Sequence, residues 1–149
     1  MANAAPGRVH DFAVRVTYAD TDQMGVVYYA NYLRYFEQGR TELLRSLRTN
    51  YRDLELRHGL YLPVTEAVCR YEAPGRYDDL LLVRTWVLTL GRASISFAYE
   101  MLATDAPGRR LAVGRTRHAV VDEAWKPARL PGDLRAALAP FQGPGPVGA

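Results

Sequence analysis

Residues 18–45 read YADTDQMGVVYYANYLRYFEQGRTELLR, and the second half of this stretch decides the fold class. From about Tyr29, large apolar side chains recur at steps of three and four residues, with charged residues between them, which is typical of an amphipathic helix. The apolar positions are Tyr32, Leu33, Phe36, Leu43, Leu44 and Leu47. Gly39 lies on the same side, and a mid-helix glycine costs about 1 kcal/mol relative to alanine. We therefore expect another backbone to pass close to Gly39.

The rest of the chain has the patterns of β-strands. The candidate strands are residues 12–18, 64–72, 80–90, 94–102 and 111–122. Short turns at 91–92 and 105–108 separate consecutive strands, so their pairing is expected to be antiparallel. A short helix is expected at 131–139. One strand, one long helix and four strands predict an α+β fold, in which a five-stranded antiparallel sheet wraps around the long helix.

Length and composition predict a single domain. A chain of 149 residues, 48% of them hydrophobic, is long enough to bury one core. We expect this domain to span residues 9–141, with flexible termini at 1–8 and 142–149, where small residues, glycine and proline predominate. No stretch approaches the ~18–20 apolar residues of a membrane span, and the first eight residues lack the apolar region of a secretory signal. The prediction is a cytoplasmic protein.

The strand at 80–90 reads LLLVRTWVLTL and is apolar on both of its faces. One face belongs against the helix, so something must also cover the other face. The simplest cover is a second copy of the chain, which predicts a homodimer or a homotetramer.

The sequence lacks the features of a nucleic-acid-binding protein and of a metal-binding protein. The net charge is +3, but no block of like charges forms the basic stripe of a nucleic-acid-binding protein. Cys69 is the single cysteine, which excludes an intrachain disulfide and a cysteine-rich zinc site. The histidines His10, His58 and His118 are scattered, so no metal site is expected.

The segment before the helix contains the candidate catalytic residues. Asp22 and Gly25 lie a few residues ahead of the helix start, where free backbone N–H groups attract negative charge. A carboxylate beside such groups can attack an acyl carbon or activate water while the N–H groups stabilise the oxyanion. However, Asp20, Thr21 and Asp22 are also preferred N-cap residues. The spacing alone therefore leaves helix capping as the alternative.

Residues 18–45 closely resemble the 4-hydroxybenzoyl-CoA thioesterase family of hotdog-fold enzymes, which includes the short-chain acyl-CoA thioesterases associated with the Tol–Pal system. The motif is D-x-D, then a glycine, two apolar residues and a tyrosine-rich helix start. Tyr77, Asp78 and Asp79, ahead of the 80–90 strand, are similar to the family's second landmark. The resemblance covers residues 12–131.

This resemblance implies roles for individual residues. Asp22 matches the catalytic aspartate, which acts as nucleophile or as general base. Tyr29 matches the position whose backbone N–H polarises the thioester carbonyl; many Tol–Pal-type members have histidine there, which favours a backbone role. Tyr18 matches a tyrosine that lines the active site. Arg92 matches basic residues that face the phosphates of coenzyme A, the alternative being a solvated turn side chain.

Two further residues are expected at the substrate. Tyr28 would line the acyl pocket, and Gly25 would let the substrate approach the backbone. The implied function is an acyl-CoA thioesterase that hydrolyses a short-chain or aromatic acyl-CoA without a metal or other cofactor. The alternative is a non-hydrolytic acyl-CoA-binding protein on the same fold.

Overall fold

The computed structural model describes residues 7–106 and 108–148. Residues 1–6, position 107 in the predicted turn and position 149 lie outside the described residues. The strands are β1 His10–Arg15, β2 Val64–Tyr71, β3 Leu80–Leu90, β4 Ser94–Ala103 and β5 Arg110–Ala119, and the helices are α1 Asn31–Ser46, α2 Tyr51–His58 and α3 Gly132–Leu138. None of the helices in this part of the chain is long and apolar enough to cross a membrane.

The five strands form one sheet in the order β1-β3-β4-β5-β2, and every neighbouring pair is antiparallel. This confirms the predicted fold, a five-stranded antiparallel sheet around one long helix. The helix begins two residues later than expected, at Asn31, and it ends at Ser46. The shorter helix α2 then begins after Asn50, whose side chain accepts a hydrogen bond from the Asp53 N–H at 2.9 Å.

Helix α1 packs its apolar face on β3 and β4. The ring of Phe36 stacks on the ring of Tyr99, with centroids 4.3 Å apart. A Cβ atom at Gly39 would lie 2.5 Å from Thr85 Oγ1 and 2.7 Å from Val83 Cγ1. Strand β3 therefore approaches the helix closely at Gly39, but the nearest atoms belong to the side chains of Val83 and Thr85 and not to the backbone that the sequence analysis expected.

We expect Gly39→Ala to lower the free energy of unfolding by about 1–3 kcal/mol, the usual cost of overpacking a core. The methyl group would overlap side chains of a central strand that cannot move aside, and this outweighs the better helix propensity of alanine. Urea denaturation measures the change. Glu37→Ala, on the exposed face of the same helix, is the control and should shift stability by less than about 0.5 kcal/mol. An equally stable Gly39→Ala variant would contradict this packing.

The chain's own C-terminal segment, residues 142–148, lies against part of the sheet, at residues 86–88 of β3. The Gly143 N–H donates to the Val87 carbonyl at 2.9 Å, and the Trp86 indole N–H donates to the Pro144 carbonyl at 2.8 Å. At the far side of the sheet, the Arg70 guanidinium donates to the Gly148 carbonyl at 2.7 Å. The C-terminal segment therefore accounts for the burial around Trp86, whereas Leu80 and Leu82 of the same strand are half-buried, and the second copy expected on this strand stays a prediction.

The described residues of both terminal segments contact the rest of the chain. Residues 142–148 are held by backbone groups, which glycine and proline possess like any other residue, so side-chain composition does not reveal the contacts. At the other end, the Arg8 N–H donates to the Pro140 carbonyl at 2.9 Å, and its guanidinium lies 5.1 Å from the centroid of the Phe141 ring. The flexibility expected for segments 1–8 and 142–149 stays a prediction, and the structure adds these contacts at residues 8 and 142–148.

Strand β2 forms one edge of the sheet and pairs only with β5 among the described residues. All its residues except Cys69 are exposed, including Val64, Val68 and Tyr71. An edge strand with exposed apolar side chains is a template for pairing with another chain.

Candidate active site

The two aspartates of the D-x-D motif have different environments. The Asp20 carboxylate is buried, forms an ion pair with Arg34 of α1, and accepts hydrogen bonds from the Thr17 N–H at 2.8 Å and the Thr17 hydroxyl at 3.0 Å. Burial alone would raise the pKa of Asp20, but the Thr17 hydrogen bonds and the Arg34 charge outweigh it and hold this pKa below its usual range. Asp20 therefore has a structural role, because its carboxylate holds the loop to Thr17 and Arg34.

The backbone of Asp20 ties the same loop to the helix start. Its carbonyl accepts hydrogen bonds from the Tyr28 N–H and from the Asn31 side-chain amide, both at 2.8 Å. Asn31 is the first residue of α1. The segment between Asp20 and Tyr28 therefore folds back as a loop whose two ends are fixed beside the helix N-terminus.

Asp22 lies within this loop. Its Oδ1 accepts a hydrogen bond from the Met24 N–H at 2.8 Å, and its carbonyl accepts one from the Gly25 N–H at 3.0 Å. Gly25 has φ +80°, a left-handed conformation that favours glycine. The N-cap of α1 is Ala30, which makes no side-chain cap. Asp22 therefore does not cap α1, and one oxygen of its carboxylate has no hydrogen-bond donor among the described residues.

Asp22 borders a cavity of about 350 Å³, which we call the cleft. It lies between the loop, the start of α1 and the segment that follows β2, and most of its surface is apolar. The lining residues are Asp22, Met24, Val26, Val27, Tyr29, Tyr32, Tyr71, Glu72, Ala73 and Pro74. The second acid, Glu72, is bound to Arg110 at 2.6 and 2.8 Å. Asp22 is thus the unpaired carboxylate of the cleft.

Tyr29, which lines the cleft, stands just before helix α1, whose start has unpaired hydrogen-bond donors. The N–H groups of Tyr29 and Ala30 have no acceptor among the described residues, whereas the next one, of Asn31, donates to the Tyr28 carbonyl at 2.9 Å. Free N–H groups at the start of a helix carry partial positive charge. The cleft therefore combines a carboxylate with donors suited to an oxyanion.

Tyr71, the last residue of β2, is a residue of the cleft that the sequence reasoning missed. Its hydroxyl donates to the Tyr29 carbonyl at 2.8 Å. The ring of Tyr71 meets the rings of Tyr29 and Tyr32 edge to face, with centroids 6.4 and 5.1 Å apart. Strand alternation in the sequence could have indicated Tyr71, because Tyr71 lies on the same helix-facing side of β2 as Cys69.

Four of the expected substrate-binding residues lie outside the lining of the cleft. Tyr18 is 76% exposed and stacks on Tyr77, with ring centroids 3.9 Å apart. Tyr28 is exposed and packs against Tyr29 at 4.7 Å between centroids. Gly25 has open space where a Cβ would be. The fourth residue is Arg92, and the substrate contacts of all four stay predictions.

Arg92 is far from the cleft of its own chain. It lies in the exposed turn between β3 and β4, just before Ser94, whereas Tyr71 is level with Met101 through the β2–β5 and β4–β5 registers. The stretch of β4 from Ser94 to Met101 spans about 24 Å at the usual rise per strand residue. One chain alone therefore does not bring Arg92 to Asp22.

No group of three His, Cys, Asp or Glu side chains in residues 7–106 and 108–148 is arranged to hold a metal ion. The chemistry that the cleft offers rests on Asp22 and on the peptide N–H groups. The cleft has one carboxylate free to act, donors for an oxyanion, and apolar walls for an acyl group.

Comparison with known proteins agrees with this geometry. A family model described as the thioesterase-like superfamily matches residues 16–138. The chain is 36% identical over 119 residues to YneP, a putative acyl-CoA thioesterase of Bacillus subtilis, covering 78% of this chain and 83% of that protein. It is 36% identical over 128 residues to the acyl-CoA thioesterase YbgC of Haemophilus influenzae, covering 85% and 92%.

Solved structures give the same result. A DHNA-CoA thioesterase from Staphylococcus aureus superposes with a TM-score of 0.81 at 30% identity, covering 88% of this chain and 89% of that one. The family match spans most of the chain and includes the D-x-D loop, α1 and all strands from β2 to β5. The chain belongs to the thioesterase-like superfamily of hotdog-fold enzymes, as the resemblance of its sequence predicted.

Proposed function

We propose that the chain hydrolyses a short-chain or aromatic acyl-CoA thioester in the cleft. The observation that carries the proposal is that Asp22, whose carboxylate is unpaired, and Tyr29, whose backbone N–H has no acceptor among the described residues, line the same apolar cavity. The thioester carbonyl oxygen would accept hydrogen bonds from the helix N-terminus, and the acyl group would lie against the tyrosine rings. Relatives named as acyl-CoA thioesterases support this substrate class.

Asp22 can serve in two ways. As nucleophile, its free oxygen attacks the acyl carbon, the C–S bond breaks, the thiolate leaves, and water hydrolyses the resulting mixed anhydride. As general base, it takes a proton from water while the water oxygen attacks the acyl carbon, and the tetrahedral intermediate then expels the thiolate. In both routes the Tyr29 N–H and the helix dipole stabilise the oxyanion.

The test is release of free thiol from a panel of aryl, short-chain and long-chain acyl-CoA esters. A thioesterase releases one thiol for each ester consumed, and the proposal expects turnover with short-chain or aryl esters. Retention of bound acyl-CoA without thiol release would instead support the non-hydrolytic binding protein. To separate the two routes of Asp22, single turnover in ¹⁸O-water is followed by mass spectrometry of the protein. Label in Asp22 supports an anhydride that water opens at the aspartyl carbon. Label in the product acid alone fits both the general base and an anhydride opened at the acyl carbon, and trapping of the acyl-enzyme with hydroxylamine separates these two cases.

We propose further that the chain forms a homodimer through the free edge of β2. Two-fold symmetry makes the two copies of an edge strand antiparallel, as all pairs in this sheet are. The Val64 end of one β2 then lies beside the Tyr71 end of the other. Arg92 shares the Val64 end of the sheet, so Arg92 of one copy would approach the cleft of the other. This accounts for a phosphate contact by Arg92 that a single chain does not offer.

We expect Val68→Lys to weaken this dimer at least about tenfold. A two-fold axis through β2 sets residues near the middle of the strand beside their own copies, and like charges across strands are destabilising. Sedimentation equilibrium measures the change. Leu56→Lys, on the exposed surface of α2, is the control and should sediment like the wild type. A Val68→Lys variant with unchanged association would assign the dimer to another surface.

A further inference from the structure

Tyr71 joins the end of β2 to the start of α1. Its hydroxyl donates to the Tyr29 carbonyl at 2.8 Å. Its ring is nearly perpendicular to the rings of Tyr29 and Tyr32, at 87° and 85°. The hydrogen bond and the two edge-to-face contacts together fix Tyr71 relative to the turn that carries Tyr29.

Apart from Tyr71, the hydrogen bonding of the Tyr29 carbonyl is weak. Within the helix start its partner is the Tyr32 N–H at 3.4 Å, a long hydrogen bond. This carbonyl belongs to the peptide group whose N–H is that of Ala30, and a peptide group is planar. By holding the oxygen, Tyr71 therefore sets the direction of the Ala30 N–H and restrains the adjoining peptide, which carries the Tyr29 N–H.

We propose that Tyr71 is a positioning residue for the thioester hydrolysis proposed above, on which this inference rests. Its hydroxyl keeps the unpaired N–H groups at the start of α1 aimed at the carbonyl oxygen of the bound thioester. A hydrogen bond accepted by a peptide oxygen also polarises the N–H of the same peptide. Tyr71 thus acts on the oxyanion through the backbone of Tyr29 and Ala30.

The environment of Tyr71 suits this role. Burial and the neighbouring Cys69 thiol raise the pKa of the Tyr71 phenol above its ordinary value, so the hydroxyl stays protonated and donates at neutral and moderately alkaline pH. The side chain is 45% exposed and is not part of the buried core. Removal of its oxygen should therefore leave the fold intact.

The experiment compares the wild type with Tyr71→Phe on one aryl and one short-chain alkyl CoA ester. We expect kcat to fall about 3- to 10-fold, the loss of one neutral hydrogen bond, while KM stays unchanged. The factor should be the same for both esters, because the lost bond acts on the carbonyl that they share. A ring that merely binds the acyl group would change KM, and by different factors for the two esters.

The matched control is Thr104→Val. The Thr104 hydroxyl also donates to a backbone carbonyl, that of Leu80, at 2.8 Å, but it lies outside the cleft. Its kcat should equal that of the wild type. Rates are expressed per folded molecule, with the folded fraction taken from circular dichroism at the assay temperature, so a partly unfolded variant remains interpretable.

The outcomes separate the two proposals. A wild type that releases no thiol overturns the proposed function and the role of Tyr71 with it. An active wild type whose Tyr71→Phe variant has a normal kcat per folded molecule overturns the role of Tyr71 alone. The same holds if the loss appears only in KM or differs between the two esters.

Discussion

Asp22→Asn should leave the protein folded and lower kcat for acyl-CoA hydrolysis by at least about 10²-fold. The amide is neutral, so it can neither attack the acyl carbon nor take a proton from water, and positioned acid–base groups contribute 10²–10⁴-fold. Its oxygen can still accept the hydrogen bond that Asp22 Oδ1 accepts from the Met24 N–H. The loop geometry should therefore be preserved. Release of free thiol under saturating substrate measures the effect.

A matched control is Asp11→Asn, since this acid lies on β1 in an exposed ion pair with Arg84 and outside the cleft. It should retain the activity of the wild type. Binding of a non-hydrolysable acyl-CoA thioether is expected to be similar in all three proteins, because Asp22 acts on the reacting bond rather than on the nucleotide. Near-normal turnover in Asp22→Asn would remove Asp22 from the reaction.

The sequence predicted different roles for Asp20 and Asp22 only through the family resemblance. Both are N-cap residue types, and spacing alone favoured a cap for each of them. The structure separates them by their partners: Asp20 is held by Thr17 and Arg34, whereas Asp22 faces the cleft. Arg34 is one of several exposed helix charges in the sequence, so its pairing with Asp20 depends on the fold of the loop.

Elements with strong periodicity were predictable, and contacts between distant segments were not. The three- and four-residue period identified α1, and strand alternation identified β1 and β4. Tyr71 reaches Tyr29 only because β2 crosses to the edge beyond β5, which local patterns do not reveal. Similarly, residues 142–148 contact Trp86 and Val87 of β3 through their own backbone groups, and the side-chain pattern of the sequence does not reveal such contacts.

Stability of the wild type should fall by about 3 kcal/mol as the pH decreases from about 6.5 to about 4, because of His118. This histidine is fully buried on β5. Burial and, to a smaller extent, the Arg40 charge lower the pKa of His118, the hydrogen bond to Leu62 only partly opposes them, and the result is a pKa of about 4 compared with the usual 6.5. Across this pH interval the unfolded chain binds a proton that the folded chain does not. The 3 kcal/mol follows from the two pKa values.

The hydrogen bonds around His118 explain why the neutral ring is retained. One ring nitrogen, Nδ1, lies 3.0 Å from the Leu62 carbonyl and must donate to it, so Nε2 is the acceptor for the Thr116 hydroxyl at 2.8 Å. Thr116 in turn lies 2.6 Å from the Tyr99 hydroxyl. Protonation of Nε2 would force the Thr116 hydroxyl to accept from it instead of donating to it, and it would place a second positive charge in the core near Arg40.

Urea denaturation of the wild type at a series of pH values between 4.5 and 7.5 measures this slope. His118→Gln should be less stable at pH 7.5 but should lose much less stability on acidification, since it has no imidazole to titrate. His58→Gln, at an exposed position on α2, should keep the slope of the wild type. An NMR titration of the imidazole carbons gives an independent check: the His118 signals should stay constant down to about pH 5. A His118→Gln variant with the wild-type slope would show that other groups carry the acid sensitivity.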